Sequence, residues 1–194
     1  MLPSWEYAGA FWLFIEGLAL LVADDWRWVT VHLAVMYAVA ASLLTISWPL
    51  ATSATLLVGG WMAASVLAVS QHVVGKEPER RQLSAAVFRF LAGLLVAPLA
   101  VSLMPALMSW LPPIHPAQLW GGVALIGLGL WHLGLRSGEP FHVTVSLLTV
   151  LAGFELIEAA LENSLLLAGL LAGVVVALGL AGGYLILQTA EAEE

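Results

Sequence analysis

Glutamates inside apolar stretches are the residues of this sequence whose type and spacing suit chemistry. Glu16 lies in an apolar stretch near the N-terminus, and Glu155, Glu158 and Glu162 follow one another at intervals of three and four residues. In a helix this spacing places the last three carboxyls on one stripe. Neighbouring carboxyls in a low dielectric can hold protons near neutral pH. The pattern predicts a proton or cation relay carried by Glu155, Glu158 and Glu16, with Glu162 at the outer membrane interface.

A purely structural role would also explain these glutamates. Glu16 and Glu155 would then hydrogen-bond Ser, Trp or Arg89 to hold helices together, and Glu158 would reach the surface beside Glu162. Arg89 is the cation available inside a predicted span, where it would pair with a glutamate or extend back to the surface. A charge at the bilayer centre costs about 3 kcal/mol or more. In both interpretations, each glutamate inside a span therefore needs a hydrogen-bond or ion-pair partner, or a water-filled cavity.

Composition defines the environment of these residues. Of the 194 residues, 61% are hydrophobic and 10% are charged, and the mean hydropathy is +0.98. A water-soluble domain needs about 25% charged residues, so that class is excluded. The absence of cysteine excludes disulfides, thiolate zinc sites and cysteine-ligated iron–sulfur clusters. With a net charge of −7 and no basic patch, nucleic acid is not expected as a partner.

Apolar runs long enough to cross a bilayer predict an all-α integral membrane protein with a single domain. Seven spans are expected in residues 1–194, followed by an acidic tail over 189–194. The predicted spans are about 6–23, 28–47, 52–73, 83–109, 118–135, 141–161 and 165–188.

The basic residues predict the orientation of the bundle. All of them fall in or beside the first, third and fifth connections: Arg27, Lys76, Arg80, Arg81, Arg89 and Arg136. Because basic residues concentrate on the cytoplasmic side, the N-terminus is expected outside and the C-terminus in the cytoplasm. The predicted location is the cytoplasmic membrane of a prokaryote.

Histidine is the residue through which this chain could bind haem. His32, His132, His72 and His142 are predicted near the cytoplasmic ends of the spans. No predicted helix carries two of them at a spacing that would bracket stacked haems. We therefore expect no cofactor, no metal site and an interfacial role for these side chains.

Two further patterns concern helix packing. Gly169, Gly173, Ala177 and Ala181 repeat every four residues in the last span, which is typical of close helix contact within a chain or with another subunit. Pro98 and Pro105 are expected to kink the fourth span. Trp12 and Trp61 are predicted to pack between helices.

The segment Leu151–Leu161, followed by a short turn and a small-residue-rich helix, resembles the small membrane subunit of complex I known as NuoK. It also resembles the E component of hydrogenase-4-type complexes. The similarity covers about residues 141–188, and Gly153-Phe154-Glu155 occupies the family's Gly-Leu-Glu-like step. The resemblance implies that Glu155 is the proton-path glutamate. The family's second membrane glutamate, on the following helix, has no equivalent here, so Glu158 or Glu16 would have to replace it.

These observations predict an integral membrane subunit of a multi-subunit proton- or cation-translocating or respiratory complex. Its partners would be other membrane subunits and the lipid bilayer. The alternatives are a non-catalytic scaffold or assembly subunit and a small stand-alone transporter. No Gly-x-Ser-x-Gly, His-Glu-x-x-His or paired-aspartate motif appears in the spans. We expect no catalytic residue and no enzymatic activity of the chain on its own, beyond a place in a membrane oxidoreductase or hydrogenase-type complex.

Overall fold

Helices make up the regular structure of the chain. The computed structural model describes residues 5–75 and 83–193. The helices in these ranges are α1 Trp5–Val22, α2 Trp26–Leu44, α3 Leu50–Val74, α4 Leu83–Leu94, α5 Val96–Trp110, α6 Pro116–Leu135, α7 Pro140–Leu161 and α8 Leu165–Glu193.

Six of the helices form a closed ring. Each contacts the next in the order α1, α2, α3, α8, α7, α6 and back to α1. A further contact between α2 and α7 crosses the ring, while α4 and α5 lie outside it against α1 and α6. Among the candidate spans, α7 has the largest buried fraction. Side chains on α7 are therefore the ones most completely removed from the surroundings of the bundle.

The all-helical fold class is confirmed, with seven candidate membrane spans when α4 and α5 are counted as one. Observed and predicted helix boundaries agree closely, and two of the differences have a simple cause. The fifth and sixth spans begin slightly earlier than predicted, at Pro116 and Pro140. Proline suits the first helical position because its fixed φ is helical and the N–H it lacks would have no intrahelical partner.

The fourth span is broken rather than merely kinked. The predicted helix over 83–109 consists of α4 and α5, separated at Leu95. Pro98 has no N–H to donate to the carbonyl four residues earlier, on Leu94, and its ring crowds that carbonyl. The break falls at this position, whereas Pro105 lies inside α5 without interrupting it.

Contacts between helix termini define two ends of the bundle. At one end, which we call the basic end, Arg89 and Arg136 meet Asp24. At the other, which we call the opposite end, Trp48 meets the α7 terminus at Glu162. The described basic residues, Arg27, Arg89 and Arg136, belong to the basic end. The remaining bases used for the orientation, Lys76, Arg80 and Arg81, lie outside the described residues, as does Glu194 of the tail.

Helix α8 packs through small residues other than the predicted ones. Gly179 approaches the backbone of Ala63 on α3, and Gly182 approaches Thr144 on α7. By contrast, the predicted stripe is exposed on the outer face of α8: Gly169, Gly173, Ala177 and Ala181. These four residues do not pack the described part of the bundle, and their contact with another subunit stays a prediction. The helix also continues through the predicted tail to Glu193.

Candidate functional site

Helix α7 brings two buried glutamates together. Glu155 is 1% exposed and Glu158, one turn further along the same face, is 8% exposed. Both oxygens of each carboxyl are buried, and none of the four has a hydrogen-bond partner in the part of the chain that the structure describes. An ionised carboxylate without a partner is very costly in an apolar interior. The two carboxyls form a dry, protonatable pair, which we call the α7 pair.

Hydrogen bonds to α7 lie beside the α7 pair and at the end of the helix. Gln118, fully buried on α6, donates to the carbonyl of Leu156 at 2.7 Å and accepts from Ser47 at 2.8 Å. The indole of Trp48 donates to the carbonyl of Glu162 at 3.0 Å, where α7 ends at the bundle surface. Gln118 and Trp48 thus have hydrogen-bond partners, in contrast to the two carboxyls.

Toward the basic end, α7 carries buried hydroxyls. Thr144, Ser146 and Thr149 donate to carbonyls of their own helix at 2.8 Å. Tyr37 on α2 donates to the carbonyl of Leu148 at 3.1 Å. Hydroxyl groups both donate and accept, so this part of α7 is polar although it is buried.

Glu16 on α1 has a different environment. Its Oε1 accepts a hydrogen bond of 2.8 Å from the indole N–H of Trp12, and its Oε2 shares a hydrogen bond of 2.7 Å with Nδ1 of His32 on α2. Glu16 itself is 5% exposed. Trp12, which was expected between helices, is instead half-exposed at the bundle surface, as is Trp61. Both oxygens of Glu16 are therefore partnered.

A cleft of about 350 Å³ lies beside this glutamate site, at the basic end. It is formed by the end of α1, the following turn and the start of α2, and His32 and Trp28 are on its wall together with Asp24 and Asp25. The side chain of His32 is 32% exposed, whereas that of Glu16 is 7% exposed. The imidazole stands between the cleft and the buried carboxyl.

Asp24 joins three parts of the fold by ion pairs. Arg89 on α4 and Arg136 at the end of α6 both contact its Oδ1, the latter at 3.3 Å. Arg136 also donates to the carbonyl of Ala23 at 2.8 Å. Arg89 thus reaches the acidic turn after α1 rather than an intramembrane glutamate. All three charged side chains are about nine-tenths buried.

Two of the remaining histidines contact each other rather than the predicted relay glutamates. His132 and His142 are buried against one another, with 3.4 Å between Nε2 and Nδ1, and Glu139 is 3.8 Å from Nε2 of His142. His72 is exposed near the end of α3. No group of three or more potential metal ligands occurs in the described ranges.

The predicted relay residues thus fall into two sites. Glu155 and Glu158 lie together on α7, and Glu16 lies on α1, with α6 packed against both helices. Gly17, next to Glu16, packs against Leu125 and Leu128 of α6. Sequence reasoning missed His32 as a partner of Glu16, because a contact between residues sixteen positions apart on two helices leaves no local pattern.

Comparisons of the chain with protein-family models, with curated proteins and with solved structures find no match.

Proposed function

We propose that this chain is an integral membrane subunit of a multi-subunit proton-translocating or respiratory complex, with Glu155 and Glu158 as proton carriers. The observation that supports the proposal is the α7 pair: two carboxyls on the most buried of the candidate spans, with all oxygens buried and no hydrogen-bond partner among the described residues. A carboxyl retained in such a place without a hydrogen bond has no structural benefit to offset its burial. Proton transport would give such a carboxyl a function that explains its burial.

The proposed pathway uses the two carboxyls as successive stations. Glu155 and Glu158 are one helical turn apart, so their side chains are neighbours on one face. Glu158 lies nearer the exposed Glu162 at the opposite end, and the buried hydroxyls of Thr149 and Tyr37 lie toward the basic end. Each carboxyl carries a proton while it is dry, and it releases the proton when water or a neighbouring group replaces the missing partner.

The subunit part of the proposal is supported by the shape of the chain. The described connections between helices are short. The stripe of small residues on α8 and most of α5 are exposed. These faces suit contact with lipid or with other membrane subunits. A scaffold or assembly subunit is the alternative, and the ion pairs of Asp24 and the contacts of Gln118 are the observations that favour it, because they stabilise helix packing.

Substitution of the α7 pair tests the proposal. The chain is tagged, purified from its native membrane in mild detergent with whatever subunits accompany it, and reconstituted in vesicles containing a pH-sensitive dye. We expect Glu155→Gln together with Glu158→Gln to abolish proton translocation while the assembly stays intact. Glu191→Gln, the same change on the exposed end of α8, is the matched control.

Two results would contradict the proposal. Unchanged translocation by an intact assembly with both glutamines would reject the carrier role and favour the scaffold. A chain that purifies alone as a monomer and carries protons by itself would reject the subunit role and favour a stand-alone transporter.

A further inference from the structure

The cleft at the basic end and the contact between His32 and Glu16 together form a second unit that can exchange protons. The cleft opens beside α1 and α2, and His32 is on its wall. On its other side, the same imidazole is 2.7 Å from the carboxyl of Glu16. A single side chain therefore connects an open cavity to a buried acid.

The two oxygens of Glu16 have different roles in this geometry. The indole N–H of Trp12 can only donate, and it occupies Oε1. Oε2 faces Nδ1 of His32, which can donate or accept according to the ring tautomer. Oε2 is consequently the oxygen that gains or loses a proton, and it does so across the bond to His32.

The charged groups around the cleft leave His32 as the exchange group. Asp24 lines the cleft, but its carboxylate is engaged by the guanidinium groups of Arg89 and Arg136. Asp25 also lines the cleft, and it accepts the backbone N–H of Arg27 at the start of α2.

The helix that packs against α1 beside Glu16 contributes apolar groups. Leu125 and Leu128 of α6 lie against Gly17, the neighbour of Glu16. Among the residues on the cleft wall, His32 is the one that hydrogen-bonds the carboxyl of Glu16.

We infer that His32 loads and unloads Glu16 with protons from water in the cleft. The ring has one nitrogen bound to Glu16, which leaves Nε2 to meet water. A proton adds to Nε2 of the neutral ring, and the Nδ1 proton passes to Oε2 of the carboxylate. The products are a neutral carboxyl and a neutral ring with its hydrogen on Nε2, so one proton is taken up and charge balances. Unloading is the reverse.

This inference rests on the proposed function for its purpose, since it gives the proton-carrying subunit an access point at the basic end. The exchange itself needs no translocation and can be measured separately. The cleft is large enough to admit water and a small solute.

The test follows the protonation of Glu16 after a pH jump. The purified full chain in lipid nanodiscs is monitored by time-resolved infrared absorption of protonated carboxyl groups, and Glu16→Gln identifies the contribution of Glu16. A positioned proton-transfer group contributes about 100-fold or more to a rate. We expect His32→Gln to slow the Glu16 signal by about 100-fold, because a glutamine amide can donate to Oε2 but cannot relay a proton.

Chemical rescue separates transfer from a merely structural contact. In His32→Ala the space vacated by the ring joins the cleft, so added imidazole should restore the rate, whereas it should not do so in His32→Gln. His72→Ala, which removes an exposed histidine at the same end, should behave as wild type.

Several outcomes would overturn the inference. A Glu16 signal that is as fast in His32→Gln as in wild type would do so. The inference would also be overturned if the Glu16 signal is slow in folded His32→Ala and added imidazole does not restore its rate. If His32→Ala does not fold, the rate of the Glu16 signal in His32→Gln alone decides whether the inference holds. Loss of translocation in the Glu155 and Glu158 variants bears on the proposed function only, because the pH-jump signal of Glu16 is recorded without translocation.

Discussion

Two sites in this bundle place the same side chain in opposite circumstances. On α1, Glu16 is buried but both of its oxygens have partners, Trp12 and His32, and a cleft lies one side chain away. On α7, Glu155 is buried deeper and its oxygens have none in the described chain. The difference shows that two buried glutamates inside membrane spans can have opposite hydrogen-bonding environments. The partners of such a glutamate decide whether it stabilises helix packing or stores a proton.

The largest expected effect concerns a third acid, Asp24, whose carboxylate contacts two arginines. Asp24→Asn removes the negative charge that the guanidinium groups of Arg89 and Arg136 share. Removal of one partner from a buried ion pair costs about 3 kcal/mol or more. We expect a loss of stability of that size in thermal unfolding of the detergent-solubilised chain. The matched variant Asp25→Asn keeps a side-chain oxygen that can accept the cap hydrogen bond, so it should cost less than about 0.5 kcal/mol. Equal effects of the two changes would show that the ion pairs do not hold the basic end together.

A slightly smaller effect is expected where α6 and α7 approach closely next to the α7 pair. A Cβ at Gly153 would lie 2.6 Å from the carbonyl oxygen of Gly122 and 2.8 Å from the amide of Ile126. Because both are backbone atoms, Gly153→Ala must separate the helices, at a cost of about 2 kcal/mol. Gly173→Ala on the exposed face of α8 meets nothing within 4 Å and is the matched control.

The outcome for Gly153 also measures how dry the α7 pair is. If the helices separate, water should reach Glu155, and slow hydrogen exchange of backbone amides around it should accelerate. A Gly153 variant as stable as the Gly173 variant would mean that the close approach is not needed.

The sign of a stability change separates the two glutamate sites most directly. Glu155→Met replaces unpartnered polar atoms with apolar ones, so we expect the free energy of unfolding to rise by about 1 kcal/mol. Glu16→Met breaks two hydrogen bonds, so we expect a fall of about 1 kcal/mol. Thermal unfolding of Glu155→Met and Glu16→Met in the same detergent measures the two changes in stability. Destabilisation of similar size at both positions would erase the distinction drawn between them.

The smallest effect is expected for one bond of the α1 site. Trp12→Phe removes the indole donor to Oε1 of Glu16, and a hydrogen bond of this kind in a membrane protein contributes about 0.6 kcal/mol. Trp61→Phe, which removes a bond to the carbonyl of Ala34, should cost a similar amount. In the pH-jump experiment, however, only Trp12→Phe should change the Glu16 signal, because Trp61 does not contact the carboxyl.

Much of the fold could be predicted from local pattern. Apolar run length locates each span because hydrocarbon thickness sets the number of helical residues needed. Ser164 precedes the last helix and accepts the N–H of Leu167 at 3.5 Å, which is the contact expected of a serine at the N-cap. Breaks were harder. The sequence marked Pro98 and Pro105 alike as kinks, and only the tertiary structure shows that the span is interrupted beside Pro98 and continuous at Pro105.

The candidate site was predictable only as a set of residues. Glu16, Glu155 and Glu158 stand out because charge is rare in apolar runs. Which of them has partners was not predictable, since His32 meets Glu16, and Arg89 meets Asp24, across helices that are distant in sequence. The small-residue stripe from Gly169 to Ala181 shows the same limit: α8 has small residues on two faces, and the bundle uses the face with Gly179 and Gly182.

By itself, the sequence determined that this chain is an all-helical protein with seven candidate membrane spans and with acids in an apolar setting, because hydropathy and helical period are properties of neighbouring residues. Only the tertiary structure decided which acids are alike. Burial and hydrogen bonding depend on side chains brought together from different helices, so the partnered Glu16 and the unpartnered Glu155 became distinguishable only once α1, α2, α6 and α7 were packed.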